Sequence, residues 1–175
     1  NPWKIVFEAA EAVHRRLRRG RSLSLNREYP EALGMWPALA LFLAFAWAED
    51  AYPQASLPNH VAWMAIGYSV ILLGGMFFYG KHRWLTHGDP FSVVFGFLAR
   101  FAPTEVRVTQ PDLCRECGGD CLPDAEECVN CYDCFARAEE RQLNLRPFAA
   151  GLARLQNAGS DTLIMVVLLL ATVTF

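Results

Sequence analysis

A run of 20 residues without a charge constrains this chain more than any other feature of its sequence. It reads VAWMAIGYSVILLGGMFFYG, occupies Val61 to Gly80, and is followed directly by the basic tripeptide KHR. About 20 apolar residues in a helix cross a hydrocarbon core roughly 30 Å thick. The run therefore predicts a membrane-spanning helix, in which Tyr68 and Ser69 are expected to form hydrogen bonds to neighbouring helices.

A second uncharged run, ALGMWPALALFLAFAWA, occupies Ala32 to Ala48. Pro37 falls in its first turns, where the missing N–H of proline costs little. Trp36 and Trp47 lie near its two ends, and tryptophan favours the headgroup level of a bilayer. Together the two runs predict a transmembrane hairpin over residues 31–80.

Two shorter apolar runs complete the pattern. Residues 162–175 are too few to span, but they stop without a polar flank, and the chain begins with Asn1 instead of Met. We therefore expect a fragment of a longer protein that ends in a truncated transmembrane helix. The ten residues Pro90 to Ala99 predict an interfacial or re-entrant helix within residues 81–110, started by the turn Gly88-Asp89-Pro90.

The distribution of Lys and Arg predicts the orientation of these helices. Residues 1–30 contain seven basic and three acidic side chains, whereas the loop of residues 49–60 contains no Lys or Arg. Basic loops stay on the cytoplasmic side of a plasma membrane. We therefore expect a multi-pass protein whose N-terminal segment and residues 81–161 are cytoplasmic.

Residues 1–30 also predict an amphipathic basic helix. Asn1 can cap it, and Pro2 suits its first position. Its apolar stripe comprises Trp3, Val6, Ala10, Val13 and Leu17. Such a helix lies on a bilayer and attracts anionic lipid headgroups. Because topology already explains the arginine cluster, we expect lipid and membrane-protein partners and no nucleic acid.

All six cysteines fall within 21 residues, and this clustering predicts a cross-linked or metal-bound module over residues 111–135. They are Cys114, Cys117, Cys121, Cys128, Cys131 and Cys134. Two thiolates at CxxC spacing can face one ion, and a second pair completes a tetrahedral zinc site. The segment has too few large apolar residues for a core, so a bound metal would supply its folding free energy.

Two other interpretations of the cysteines remain open. The run CVNCYDC has the CxxCxxC spacing of bacterial-type ferredoxins, which hold iron–sulfur clusters, although the following xxxCP is absent. Disulfides or unligated thiols are the third interpretation. A cytoplasmic position disfavours disulfides, whereas an inverted topology would favour three bridges.

Other residue types give no recognisable catalytic motif. The four histidines form no HxH or HExxH pattern, and His82 and His87 fall in the polar turn KHRWLTHGDP. The sequence contains no nucleophile elbow, phosphate-binding glycine loop or dinucleotide fingerprint. Glu49 and Asp50 follow the first span at its edge. The sequence therefore identifies no catalytic residues.

Several longer stretches resemble one known family. They are NPWK, YPEALGMWPALALFLAFAWAE, WLTHGDPFSVVFGFLARFAPTE, LRPFAAGL and DTLIMVVLLLATVTF. They are similar to prokaryotic multi-pass membrane proteins catalogued as fenitrothion hydrolase-like. The resemblance covers most of the chain except the cysteine segment, which would be an insertion or a variable cytoplasmic loop. It implies a membrane protein and, through the family name, hydrolysis of an organophosphate ester.

The sequence as a whole predicts an all-α, integral membrane helical bundle with an amphipathic N-terminal helix and a cytoplasmic cysteine-rich loop. Residues 136–161 are expected to form a cytoplasmic connector. The leading function is a permease-like protein or membrane-complex subunit of unknown substrate, with a zinc-binding cysteine module. A membrane-bound organophosphate-type hydrolase and an iron–sulfur electron-transfer protein are the alternatives.

Overall fold

A computed structural model describes residues 1–18, 22–53, 57–110, 113, 128–154 and 159–174. These residues are mostly helical, as the sequence predicts. The chain divides into two compact units. The first comprises Asn1–Val94 with Asn157–Phe175, and the second comprises Phe95–Gln156.

The first helix, α1, spans Pro2–Leu17. The Asn1 side chain accepts hydrogen bonds from the backbone N–H groups of Trp3, at 3.1 Å, and Lys4, at 3.4 Å. This cap pairs backbone N–H groups of the first turn that have no partner within the helix. Proline, which lacks an N–H, occupies the first helical position. The predicted N-terminal helix is thus present with its predicted start, but it ends at Leu17, and the described residues 22–30 are not helical.

Helices α2, Trp36–Asp50, and α3, Pro58–Tyr79, correspond to the two long apolar runs. With the 3-10 turn Glu31–Leu33 included, the first candidate span has 20 residues and the second has 22. Both are long and apolar enough to cross a membrane. Gly80, with φ of +85°, ends α3 in a conformation that side chains disfavour, and α4, Lys81–His87, follows at once.

The core of the first unit lies where α1, α3 and α4 meet. Its buried members are Phe7, Leu72, Met76, Trp84 and Leu85. Trp3 of α1 also donates its indole N–H to the Ser69 hydroxyl at 2.8 Å. This bond confirms that Ser69 links two helices. The predicted surface helix therefore packs on the second half of α3, while the remainder of its apolar stripe stays exposed.

Helix α5 spans Pro90–Ala99, as the sequence predicts. Asp89 is 1% exposed and accepts hydrogen bonds from the Phe91 N–H at 3.2 Å and the Ser92 hydroxyl at 2.5 Å. The Tyr68 hydroxyl of α3 also donates to this carboxylate. Asp89 therefore caps α5 and joins its start to α3.

The last helix, α7, spans Ser160–Thr174. The Asp161 carboxylate accepts the backbone N–H of Thr162 at 2.8 Å and that of Met35, before α2, at 2.9 Å. The Met35 hydrogen bond is the main cause of an Asp161 pKa below its usual value of 3.8. A single carboxylate thus joins α7 to the start of α2.

The second unit contains a three-stranded antiparallel sheet with the strand order β2-β1-β3. The strands are β1, Thr104–Val108, β2, Cys128–Val129, and β3, Gln142–Leu145. Helix α6, Tyr132–Arg137, lies between β2 and β3, and a 3-10 helix, Ala150–Arg154, comes later. The all-α prediction is therefore wrong for this unit, because TEVRV and QLNL alternate polar and apolar residues with the period of a strand.

Candidate metal centre

The central strand of the sheet places the first cysteine of the site. Cys128 begins β2 and lies opposite Val108 at the end of β1. Both side chains are buried in the cluster that forms where β1 contacts α6. Backbone pairing with β1 therefore fixes one thiol in the core of the second unit.

A tight turn brings the next cysteine back towards the first. Asn130 has a φ of +55°, a left-handed conformation that asparagine tolerates better than most residues. Its backbone N–H donates to the Val106 carbonyl at 2.8 Å, and its side-chain oxygen accepts the Val106 N–H at 2.9 Å. Asn130 thus turns the chain while remaining attached to β1.

Helix α6 supplies the two remaining thiols of the site. Cys131 occupies the position just before α6, without a capping hydrogen bond from its side chain, and Cys134 lies in the first turn of the helix, three positions later. Residues three apart share one face of a helix, which explains how both can reach Cys128. The Sγ atoms of Cys128, Cys131 and Cys134 all lie within 4.8 Å of one another.

The described side chains packed around this cysteine triad, defined as Cys128, Cys131 and Cys134, are mostly apolar. Cys128 and Cys134 are buried, whereas Cys131 is partly exposed. Val108 and Ala138 complete the buried cluster, with Phe135 packed against it. Such surroundings exclude water from two of the thiols and leave the third at the edge of the site.

The separations within the triad fit a single thiolate-bound ion. Zinc–sulfur bonds of about 2.3 Å in a tetrahedron separate two sulfurs by roughly 3.8 Å. Cys128 Sγ and Cys134 Sγ are 3.4 Å apart, and the remaining separations are no greater than 4.8 Å. Small side-chain rotations would therefore bring three sulfurs to bonding distance of one ion. The described thiols form no disulfide with one another.

Three of the six cysteines predicted as ligands are thus brought together. The others, Cys114, Cys117 and Cys121, lie outside the described residues. The predicted metal identity rests on ligand chemistry alone, since three thiolates suit Zn²⁺, Cu⁺ and iron–sulfur clusters alike. The structure therefore supports a soft-metal site without selecting the metal.

The described histidines do not join a cluster of ligands within the described part of the chain. There, the cysteine triad is the group of three or more His, Cys, Asp or Glu side chains close enough to share an ion. His87 instead contacts the Arg83 carbonyl through Nδ1 at 3.0 Å and lies 5.1 Å from the Tyr29 ring. It therefore has a packing role in the first unit.

Two features of the site could not be read from cysteine spacing. Asn130 holds the turn of the site through a double hydrogen bond to Val106, and Val108 provides the strand that positions Cys128. The asparagine within the CxxC pair is a sequence signal for the turn, because asparagine favours left-handed positions. The strand signal is the alternation in TEVRV.

Comparisons of the chain with protein-family models, with curated proteins and with solved structures each find no match. The resemblance to fenitrothion hydrolase-like proteins accordingly stays a prediction from the sequence. The function is therefore inferred from the cysteine triad and the apolar helices themselves.

Proposed function

We propose that this chain is part of a multi-pass membrane protein whose cytoplasmic cysteine module binds a structural zinc ion. The observation that carries this proposal is the convergence of Cys128, Cys131 and Cys134 on one point. In this proposal the module stabilises the fold. The protein itself acts either as a permease for a solute or as a subunit of a membrane complex.

The membrane assignment is supported by where α2 and α3 expose their side chains. Only 11% of the first apolar window and 17% of the second are buried inside the protein. A helix that is apolar on every side normally lies in a large core or in lipid. The described residues provide no such core around α3, so lipid is the environment that would cover it.

The zinc assignment is supported by the ligand type and by the size of the module. Thiolates at CxxC spacing are the usual ligands of structural zinc, and three of them need one further ligand to close a tetrahedron. Among the described residues, the hydrophobic cluster around the triad has four buried members, Val108, Cys128, Cys134 and Ala138. A metal would add the stability that so small a core lacks.

Cobalt(II) substitution tests the zinc assignment directly. Tetrahedral cobalt with thiolate ligands gives visible d–d bands and a near-ultraviolet sulfur-to-metal band, whose intensity rises with the number of thiolates. We expect the full chain to show both after exchange, and zinc to displace the cobalt and bleach them. Absence of the sulfur-to-metal band would contradict thiolate ligation.

Reporter fusions test the membrane topology. A periplasmic alkaline phosphatase fused after residue 53 should be active, because the loop between α2 and α3 is proposed to face outwards. The same reporter fused after residue 110 should be inactive, and a fluorescent cytoplasmic reporter there should be bright. The reverse pattern would place the cysteine module outside and favour disulfides.

Iron–sulfur electron transfer is the second candidate. It is favoured by one specific observation, since the three cysteines of CVNCYDC converge as ligands of one cluster would. Organophosphate hydrolysis, by comparison, depends on the sequence resemblance alone. Metal-assisted hydrolysis keeps a coordination position for water, usually with His and carboxylate ligands, and the described ligand cluster consists of thiols.

A further inference from the structure

The first helix runs alongside the second half of α3 and in the same direction. At its start, the Trp3 ring lies 4.9 Å from the ring of Tyr68, which is the eleventh of the 22 residues of α3. Further along α1, Glu11 Oε2 lies 3.6 Å from Nζ of Lys81, the second residue after the end of α3. Helix α1 therefore starts beside the middle of α3 and extends to the level of its end.

Hydrogen bonds to α5 hold the start of α1 at this level. The Asn1 side-chain amide donates to Asp89 Oδ2 at 2.7 Å and to the Ser92 hydroxyl at 3.0 Å. The Tyr68 hydroxyl of α3 donates to the same Asp89 carboxylate. The first residues of α1 are thus attached to two elements, both beside the middle of α3.

The charged residues in the first three turns of α1 face the protein. Lys4, Glu8 and Glu11 are each half-buried. Glu8 Oε1 lies 3.2 Å from Lys81 Nζ and 3.9 Å from Lys4 Nζ, so these charges pair with one another. Ionisable side chains within a membrane are expected to face protein and to pair in this way. The charges of α1 therefore have the arrangement of a helix inside a bilayer.

The outward face of α1 is apolar over the same turns. The residues of this face are all those from Pro2 to Val13 that are exposed, namely Pro2, Ile5, Val6, Ala9, Ala10, Ala12 and Val13. The largest of them are well exposed, at 67% for Ile5 and 56% for Val6. A helix that faces water presents polar and charged residues on its outer side. Since α1 presents apolar residues there, lipid is the environment that fits its outward face.

The length of the apolar face matches half of a bilayer. Trp3, which lies beside the middle of α3, and Val13 are separated by about 15 Å along the helix axis, at a rise of about 1.5 Å per residue. Half of a hydrocarbon core about 30 Å thick has the same length. Three exposed arginines, Arg15, Arg16 and Arg18, follow directly, at the level where cytoplasmic headgroups would begin.

We infer that α1 is inserted in the cytoplasmic half of the bilayer beside α3, with its outward face against lipid acyl chains and Arg15, Arg16 and Arg18 among the headgroups. This position lies within one leaflet, whereas the sequence predicts a helix on the bilayer surface. Lipid is the occupant of the outward face because the face ends in basic residues, which anionic headgroups attract. The inference rests on the proposed membrane location of α3.

Spin labels at single positions of the full chain, in liposomes of phosphatidylcholine and phosphatidylglycerol, test this inference. Each label is attached to an azide-bearing amino acid, so that the six cysteines stay unmodified. Collisions with oxygen, which concentrates in lipid, and with a water-soluble nickel chelate report the depth of each label. We expect a label at Val6 to lie close to the depth of a label at Val70, an exposed residue of α3. A label at Val13 should lie about 10 Å shallower than the one at Val6, from a rise of about 1.5 Å per residue. A label at Arg18 should be open to the chelate.

Three other results would contradict the insertion of α1. A surface helix would give the Val6 and Val13 labels one common depth, because both lie on its apolar stripe, and this result would overturn the inference. Shielding of the Val6 label from both reagents would also overturn it, because protein would then cover the outward face. In both cases a Val70 label that oxygen reaches would still support the membrane location of α3. A Val70 label open to the nickel chelate would instead overturn the membrane proposal, and the insertion of α1 with it.

Discussion

Cys128 Sγ and Cys134 Sγ lie 3.4 Å apart in the buried core of the second unit, although one begins a strand and the other lies in a helix. The Asn130 turn between them produces this approach by reversing the chain against β1. A pair of thiols so close together, with Cys131 at their edge, is arranged to share a positive ion. The metal and the fold are therefore expected to depend on each other.

Cys134→Ser should weaken metal binding strongly. Four ligands together contribute roughly 10–16 kcal/mol to a structural zinc site, so the loss of one thiolate should lower affinity by about 100-fold or more. Ala136→Ser is the matched control, because it introduces the same hydroxyl at an exposed position of α6. Competition with a colorimetric zinc chelator measures both, and equal affinities would refute a role for Cys134.

Gly75→Ala should destabilise the first unit, whereas Gly74→Ala should not. A Cβ at Gly75 would lie 2.0 Å from Trp84 Cε2, while a Cβ at Gly74 would meet nothing within 4 Å. Forcing the buried indole to move should cost about 1–3 kcal/mol. Gly74→Ala should raise stability by about 0.4–1 kcal/mol, because alanine restricts the unfolded chain. Thermal unfolding in detergent compares the two, and equal melting temperatures would contradict this packing.

The Val70→Lys variant distinguishes a lipid-facing α3 from a water-facing α3. Val70 of α3 is 65% exposed, so at a water-facing surface its replacement should change stability by less than about 0.5 kcal/mol. In a bilayer, lysine near the centre of a span costs about 2.5–3.5 kcal/mol. We expect the larger penalty, seen as lower membrane yield and earlier unfolding in nanodiscs.

Leu25→Lys provides the control for Val70→Lys. Leu25 is also exposed, but it precedes α2 and contributes its backbone N–H to the Phe77 carbonyl at 2.8 Å, a bond that any side chain permits. Its replacement should leave yield and unfolding close to those of the original chain. A Val70→Lys variant that behaves like Leu25→Lys would show that α3 does not face lipid.

We expect the protein to lose stability at alkaline pH because Tyr29 ionises. Burial, reinforced by Tyr79 and Asp161, raises the pKa of Tyr29 from 10.0 to about 12. The folded state holds this proton more tightly than the unfolded state does. The contribution of Tyr29 to the free energy of unfolding is therefore complete below pH 10 and is lost as the pH rises towards about 12. The Tyr29 hydroxyl also donates to the Gly34 carbonyl at 2.9 Å, a hydrogen bond that ionisation removes.

Unfolding curves between pH 9 and pH 12 test the role of Tyr29. Tyr29→Phe should be less stable at neutral pH by about 1 kcal/mol, the value of one hydrogen bond, and should show less of the alkaline loss. Tyr52→Phe is the control, since Tyr52 packs instead on Trp47 and His60. An unchanged alkaline loss in Tyr29→Phe would contradict the assignment.

Much of the first unit follows from the sequence because its signals are local. The uncharged runs predict α2 and α3, Asn1 and Pro2 predict the start of α1, and the Gly88-Asp89-Pro90 turn predicts α5. The exact partners of these helices do not follow from local signals. The Trp3–Ser69 and Asp161–Met35 hydrogen bonds join residues far apart in sequence, so composition and periodicity do not predict them.

The second unit was harder to predict for a physical reason. Strands β1 and β3 have five and four residues, and pairing between them supplies the stability that neither has alone. Cysteine spacing predicts that Cys128, Cys131 and Cys134 lie close together, and the structure brings them together, because CxxC places thiols near one another through local geometry. It contained no information on the sheet that holds Cys128.

Metal analysis and the ultraviolet–visible spectrum of the full chain, purified without oxygen, test the central claim most directly. We predict about one equivalent of zinc and no visible absorption, since zinc has a filled d shell. Iron with a broad visible band would contradict the zinc module and make this an iron–sulfur protein. No metal together with oxidised cysteines would contradict both the metal site and the cytoplasmic position of the module.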